Sequence, residues 1–283
     1  MTGTATETPR ATPRGARTPV GLVRQTLRLT RTEFTLFYRY RMALYVAVLP
    51  AIFMLPAFTV PNEEILPGVG AAAHSLAGVF AMAGMTVGII HVSNVYAARR
   101  EQMVLKRFRV SGVPPAALFG STTLSVLGVV AIQSLIGVAV LAVQLDTLPK
   151  HPVLLVLSIV LITVIMSLLG AALTRFTRNA ESAQMLSMVP FILLVAASGF
   201  YVPIDMMPEP LARIVGVLPM APAIDLARSA YFGRDFFGGA EGAAAAGLDL
   251  WTAAGPALLV LLAWVAISVY LLRFFQWDPR QAK

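Results

Sequence analysis

Long uncharged hydrophobic runs alternate with short charged segments along this chain. Six of the runs contain no Asp, Glu, Lys or Arg, and their lengths are near the roughly 20 residues that a helix needs to cross about 30 Å of hydrocarbon. The pattern therefore predicts an all-α membrane protein with six transmembrane helices, at 42–60, 71–95, 116–143, 152–174, 184–204 and 252–272.

The segments that flank this predicted transmembrane domain, 42–275, differ from one another. Residues 1–19 are rich in Thr, Pro, Arg and Ala, which predicts a disordered tail, and 276–283 forms a second short tail. In 20–41, apolar side chains recur at helical spacing among five arginines. Such a segment beside a membrane span predicts an amphipathic helix in the membrane interface, with a solvated helix as the alternative.

One further apolar stretch, 211–224, is too short to cross the membrane as a helix. It contains Arg213 and is interrupted by Pro219 and Pro222. We expect it to form short re-entrant or interfacial helices before the last span, because irregular backbone is not stable when exposed to lipid.

Composition strengthens the membrane interpretation. Hydrophobic residues make up 57% of the 283, and charged residues only 13%, about half the share that a soluble domain carries. The net charge of +8 could indicate nucleic acid as a partner, but the arginines lie mostly at the edges of apolar runs. This arrangement favours the membrane and its lipid over nucleic acid. The chain has no cysteine, so disulfides are excluded.

The basic residues also predict an orientation. Eighteen of the 22 lysines and arginines fall before the first span, in the two loops on the same side, or after the last span. Positive residues concentrate on the cytoplasmic side of membrane proteins. Both termini are therefore expected in the cytoplasm of a multi-pass plasma-membrane protein, and the long segment 205–251 outside.

Motifs for catalysis are absent from the sequence. It contains no Gly-Lys-Ser/Thr phosphate loop, no HExxH, no G-x-S-x-G and no Cys/His cluster. The chain is therefore not expected to be an enzyme by itself or to hold a metal. Ion-coupled pumps usually bury an ionisable group, and only His91 or His74 could serve here. If the chain transports, another polypeptide should supply the energy.

Two groups of residues are candidates for function. The segment 99–112, RREQMVLKRFRVSG, suits either a helix that docks on another protein or charge that only sets topology. Within the spans, His91 and Asn94 share a helix face and could contact a substrate or form interhelical hydrogen bonds. The candidate partner-binding residues are Arg99, Arg100, Glu101, Lys106, Arg107 and Arg109.

The whole region 20–275 resembles the membrane subunits of bacterial type-2 ABC exporters, the permeases of drug and polysaccharide export. A basic amphipathic segment precedes a first span that contains Pro50. Arg100-Glu101 is followed by a basic helix and Ser111-Gly112-Val113-Pro114, as in the family's cytoplasmic coupling segment. SGFYVPIDMMPEPL at 198–211 and RIVGVLPMAP at 213–222 are similar to the family's signature and external helices.

This resemblance implies a permease for amphiphilic drugs, lipids or natural products, with a role in multidrug efflux and antibiotic resistance. Two permease subunits, as a homodimer or heterodimer, would associate with two ABC ATP-binding subunits. Those subunits would hold ATP and Mg, so this chain needs no cofactor of its own. The alternatives are an ion-coupled secondary transporter and a membrane-embedded lipid-modifying enzyme, for which Asp205, Glu209, Asp225 and Arg228 are the nearest polar candidates.

Overall fold

The computed structural model of the chain is mainly helical. It describes residues 21–39, 41–53, 55, 64–66, 69–146, 148–201, 204, 207–237, 243–244 and 247–278. In chain order, the helices are α1 (Leu22–Arg39), α2 (Arg41–Ile52), α3 (Ala71–Met85), α4 (Val92–Glu101), α5 (Val104–Val110), α6 (Pro115–Leu145), α7 (Pro152–Leu173), α8 (Ala180–Ala196), α9 (Glu209–Val217), α10 (Met220–Phe232) and α11 (Leu248–Leu271).

Short elements connect these helices. A π-helical turn, Thr86–His91, joins α3 to α4, and 3-10 turns follow α7 at Thr174–Phe176 and α11 at Leu272–Phe274. Two small antiparallel pairs complete the described elements: β1 (Glu64–Leu66) with β2 (Val69–Gly70), and β3 (Arg234–Asp235) with β4 (Ala243–Ala244).

Four helices in the described part of the chain are long and apolar enough to cross a membrane. They are Ala72–Glu101, Pro115–Val143, Pro152–Phe176 and Leu248–Phe274, and the bent pair α9–α10 would make a fifth if it is one span. The prediction of an all-α membrane protein is confirmed at this level.

The predicted count of six spans stays a prediction. Helix α2 has 12 residues and α8 has 17, and much of the first predicted span, 42–60, lies outside the described residues. The tail at 1–19 and most of the tail at 276–283 also lie outside them.

One helix, which we call the central helix, is Ala72–Glu101, comprising most of α3, the π turn and α4. It is almost wholly surrounded by the rest of the protein. Gly84 and Gly88 let it approach α7 closely: a Cβ built on Gly88 would lie only 2.7 Å from the Met166 Cβ atom. Gly170 of α7 lies in turn against the carbonyl oxygens of Gly88 and Ile89. These small residues therefore serve packing within the chain, in the way small residues bring membrane helices together.

The helix ends collect at two opposite ends of the bundle. At one of them the Arg175 guanidinium lies 5.1 Å from the ring centre of Phe274, and Arg109 lies 3.8 Å from Asp278. We call this the basic end. At the other end the backbone N–H of His151 donates to the Ala230 carbonyl at 2.8 Å, which joins the start of α7 to α10.

The stretch around Pro219 and Pro222 forms the bent pair. Helices α9 and α10 meet at an angle of 79°. The bend is held from two sides, because Trp264 Nε1 donates to the Val217 carbonyl at 2.7 Å and Ser158 Oγ donates to the Ala223 carbonyl at 2.7 Å. The predicted interruption is therefore present, while its re-entrant placement in a membrane stays a prediction.

Helix α1 lies along α6 at the basic end. Its inner face contacts small residues of α6: Phe34 comes within 3.2 Å of where a Cβ on Gly128 would be, and Thr30 Oγ1 donates to the Ser121 carbonyl at 3.4 Å. Its outer face exposes Val23, Leu27 and Tyr38 beside exposed arginines. A mixed apolar and basic surface of this kind suits the predicted interfacial position.

Candidate coupling segment and adjoining cavity

The candidate docking segment, 99–112, which we also call the coupling segment, contains the short helix α5 between two tight turns. The central helix ends at Glu101, and Met103 takes the left-handed conformation with φ of 59° before α5 begins. Gly112, at φ of 74°, ends α5, and Pro114 then leads into α6. A left-handed non-glycine residue costs roughly 1–3 kcal/mol, so the surrounding contacts must hold this turn.

Helix α5 has an anchored side and an exposed side. Leu105 is fully buried and Phe108 packs against the core. The three cations Lys106, Arg107 and Arg109 are exposed. The helix therefore presents positive charge outward on an apolar base, an arrangement that suits a docking helix.

Arg100 is one of two candidate partner-binding residues that do not lie on the exposed surface. It is only 1% exposed. Its Nη1 donates to the Thr174 carbonyl and its Nη2 to the Thr177 carbonyl, both at 2.6 Å. Hydrogen bonds from a charged donor are among the stronger ones in proteins. Arg100 therefore fixes the end of the central helix to the turn after α7, and these donors are used within the chain.

Arg99 is the second such residue. Its Nη2 forms an ion pair with Glu33 Oε2 of α1, and both side chains are nearly buried. The Arg99 guanidinium also lies 5.9 Å from the ring centre of Tyr96. Breaking a buried pair by removing one partner typically costs about 3–5 kcal/mol, because the other charge is left uncompensated. This contact ties α1 to the first residue of the docking segment.

Glu101 is exposed but already has a partner in the chain. Its Oε2 accepts a hydrogen bond of 3.4 Å from the backbone N–H of Ala180, at the start of α8. The same helix end is capped by Asn179, whose Oδ1 accepts from the Ser182 N–H at 2.9 Å. A carboxylate at a helix N-terminus is stabilised by the helix dipole. Glu101 can therefore both cap α8 and face a partner.

His91 and Asn94 do come together, in the wall of a cavity of about 230 Å³ at the basic end. The His91 ring meets the Phe37 ring edge-on, with centroids 4.4 Å apart, and Asn94 Nδ2 donates to the Ala180 carbonyl at 3.3 Å. Glu33 and Arg99 line the same cavity. Arg99 Nη1 is buried there with no hydrogen-bond partner among the described residues.

The six candidate partner-binding residues thus separate into two sets. Glu101, Lys106, Arg107 and Arg109 are exposed at the basic end, whereas Arg99 and Arg100 point their donors into the chain. Sequence reasoning missed Glu33, although a signal was available: it is the only acidic residue between positions 20 and 41, among five arginines.

The described polar residues at the opposite end serve mainly to connect helices, and Arg228 also lies 3.9 Å from Asp225 on its own helix. Arg228 is 3% exposed and donates to the His74 and Gly199 carbonyls, each at 3.1 Å. It thereby holds the start of α3 and the chain after α8 against α10. Glu209 pairs with exposed Arg213 on its own helix, and Asp205 lies outside the described residues. No group of three or more possible metal ligands occurs in the described part of the chain.

Comparison with known families identifies the family of this chain. A family model described as ABC-2 family transporter protein matches residues 41–273. No curated protein matches the chain. The matched range runs from the start of α2 to the turn after α11 and leaves α1, with Glu33, outside it.

Proposed function

Since the chain belongs to the ABC-2 transporter family and is therefore a membrane subunit of an ABC transporter, we propose that it exports an amphiphilic drug, lipid or natural product from a bacterial cell. Membership of this family implies an ABC ATP-binding subunit as partner. The membrane subunit is not itself catalytic. The partner would bind ATP and Mg, and two permease subunits, identical or different, would form the translocation unit.

The observation that carries the proposal is the attachment of α5 to the central helix. Exposed cations on α5 offer a docking surface, and its neighbour Arg100 is held by two buried hydrogen bonds. A push on α5 is therefore applied to a rigid joint rather than to a loose loop. Coupling requires contacts that differ between two states of a protein, and a joint of this kind can transmit such a difference.

Helix α1 would move with the same joint. The Glu33–Arg99 pair connects it to the end of the central helix, and Phe37 packs on His91 nearby. Closure of the ATP-binding subunits against α5 would thus act on α1 and on the cavity between α1 and the central helix. In this mechanism ATP hydrolysis in the partner replaces the intramembrane ion site that a secondary transporter needs.

We place the substrate contact in that cavity, at His91 and Asn94. Arg99 Nη1 adds a buried donor without a partner among the described residues. A carbonyl, hydroxyl or phosphate oxygen on an amphiphile would satisfy it. The nearby Phe37 ring offers apolar contact for the rest of the molecule.

Orientation is tested by reporter fusions. We expect reporters at the C-terminus and in 99–112 to behave as cytoplasmic, and one inserted at 235–245 to behave as external, because of the excess of arginine at the basic end. A reporter that is external at the C-terminus would contradict the six-span arrangement.

Function is tested by affinity purification of the tagged chain from its native membrane, followed by reconstitution in liposomes. We expect a separate ATPase to copurify, and transport of a fluorescent amphiphile to require ATP in the presence of that ATPase. Transport by the chain alone, driven by a proton gradient without ATP, would contradict the proposal and favour a secondary transporter.

A further inference from the structure

A second cavity lies far from the coupling segment, between α2, α3 and α6. Its volume is about 200 Å³. Most of its wall is apolar, contributed by side chains such as Val48 of α2, Leu76 and Val79 of α3, and Ile136 of α6. No residue in its lining carries a charge. The cavity is therefore suited to an uncharged, mainly apolar molecule.

The sequence explains why the three helices leave space here. Gly137 has no side chain, so the Phe80 ring occupies the surface of α6 beside it: a Cβ on Gly137 would be 3.0 Å from Phe80 Cε1. On the other side, Pro50 lies inside α2. Proline removes a backbone donor and disturbs the helix one turn earlier, next to Ala47. The cavity therefore lies between a residue without a side chain on α6 and a proline-containing turn of α2.

Two polar atoms in this apolar wall, on Gln133 and Ser134, lack a hydrogen-bond partner among the described residues. Gln133 donates from Nε2 to the Ala47 carbonyl, which fixes the orientation of its amide. Its Oε1 and the neighbouring Ser134 Oγ are both buried without a hydrogen-bond partner among the described residues. Ser134 is 8% exposed. Serine in a helix usually donates to its own backbone, so two adjacent unsatisfied groups at one cavity call for an explanation.

We propose that this cavity is a binding site for an apolar molecule that carries a hydroxyl or other uncharged hydrogen-bond donor. The donor would satisfy Gln133 Oε1, and Ser134 Oγ can accept or donate in turn. An apolar cavity of roughly 150 Å³ takes up benzene. The space here suits a ring or a short alkyl segment, whether it belongs to a membrane lipid or to an exported molecule. The site does not depend on the coupling mechanism or on the direction of transport.

Photolabelling of the full chain in lipid nanodiscs tests the site. The probe is a diazirine-bearing octanol, and the matched probe is the corresponding octane without the hydroxyl. Peptide mapping should find the octanol label in 47–51, 76–83 and 133–137. We expect the octanol to be preferred by about fivefold, the factor that one net hydrogen bond supplies.

Three variants decide the outcome. Gln133→Met and Ser134→Ala together keep the cavity but remove its polar groups, and should abolish the preference for the octanol. Gly137→Leu should displace the Phe80 ring, which a Cβ at this position would approach to 3.0 Å, into the cavity that the ring also lines, and should reduce both labels to the level seen on exposed surfaces. Leu135→Phe, at an exposed position of the same helix, should change neither. Elution volume and thermal unfolding confirm that each variant is folded.

A separate experiment identifies whether the ligand is a lipid or a transported molecule. Native mass spectrometry of the chain extracted from membranes should show a bound mass that Gly137→Leu removes. A mass present in the lipid extract identifies a lipid, and a mass absent from it identifies a transported molecule; either supports the site. Equal labelling by octanol and octane, or a preference that survives Gln133→Met with Ser134→Ala, would overturn it.

Discussion

The central helix and the last helix, Leu248–Phe274, both satisfy the length and composition of a membrane span, yet their surroundings are opposite. In an apolar stretch of 18 residues from each helix, 94% is buried inside the protein in the central helix and 17% in the last helix. The last helix is nevertheless the more apolar of the two. Hydropathy therefore reports suitability for lipid, whereas burial within the bundle depends on small and weakly polar residues that permit close contact.

The two helices also end differently. The central helix ends in the partly buried Arg99, the buried Arg100 and the coupling segment, while the last helix ends in Arg273, exposed and stacked 4.4 Å from the Tyr270 ring centre. The buried helix is thus the one that leads into the proposed coupling segment. Four comparisons between variants test whether this difference in burial is also a difference in energy and activity.

The largest effect is expected at the Glu33–Arg99 pair. Glu33→Ala should lower the free energy of unfolding by about 3–5 kcal/mol, because Arg99 would stay buried without its counter-charge. Unfolding is followed by thermal denaturation in nanodiscs. Glu209→Ala breaks an exposed pair and should cost less than about 1 kcal/mol. The exchange Glu33→Arg with Arg99→Glu should restore part of the stability, and no restoration would show that the pair itself does not stabilise the joint.

Next is Glu101, the last residue of the central helix. Removing its charge should weaken binding of the ATPase, since loss of one member of an interfacial charge pair commonly costs about 2–5 kcal/mol. Glu101→Gln keeps an acceptor for the Ala180 N–H, so stability should be unchanged while ATPase recovery and efflux fall. Asp249→Asn, in the first turn of the last helix, is the matched control.

A second variant at the same position separates binding from stability. Glu101→Ala should add a small loss of stability, because the Ala180 N–H at the start of α8 loses its side-chain acceptor. Full transport and normal ATPase recovery in both Glu101 variants would move the contact to Lys106, Arg107, Arg109 or α1.

A third variant compares the two helices directly. Gly88→Ala should destabilise the protein by about 1–3 kcal/mol, because the new methyl group would overlap Met166. Gly255→Ala in the last helix meets nothing within 4 Å. It should instead stabilise by up to about 1 kcal/mol, since alanine favours helix over glycine. Opposite signs in thermal unfolding would support the comparison, and equal signs would contradict it.

The smallest effect is expected on the lipid-facing side of the last helix. Leu259→Ala, at a position 68% exposed, should change stability by less than about 0.5 kcal/mol, as surface substitutions usually do. Leu76→Ala, at a position 1% exposed in the central helix, should cost about 2–5 kcal/mol. Thermal unfolding in the same nanodiscs measures both variants. A large loss from Leu259→Ala would show that this face is covered by another chain rather than by lipid.

The sequence predicted most of the helices because their signal is local. Hydropathy located the long spans, and Pro219 with Pro222 correctly indicated the break between α9 and α10. The role of Arg100 was not readable in this way, because its acceptors, the Thr174 and Thr177 carbonyls, lie more than 70 residues away. An arginine in a charged segment has the same local pattern whether it docks outward or is buried.

The role of Glu33 was not predicted from the sequence for a related reason. A single acid in a basic amphipathic segment is compatible with a solvated face, and only the fold brings it to Arg99. The shared cavity of His91 and Asn94 was partly predicted, because residues three apart share a helix face. The π turn that ends at His91 was not predicted, since a single extra residue in a helical turn leaves no compositional trace in an apolar run.

That π turn has a consequence for changes in chain length. A π turn takes up one extra residue, so the six residues of Thr86–His91 turn the chain about as far as five α-helical residues do. Removing one residue here would let the turn become α-helical while Arg99 stays opposite Glu33 and Arg100 opposite Thr174. A deletion elsewhere in the central helix would instead rotate α4 by about 100° relative to α3, so single deletions should be tolerated better at this turn than at other positions of the helix.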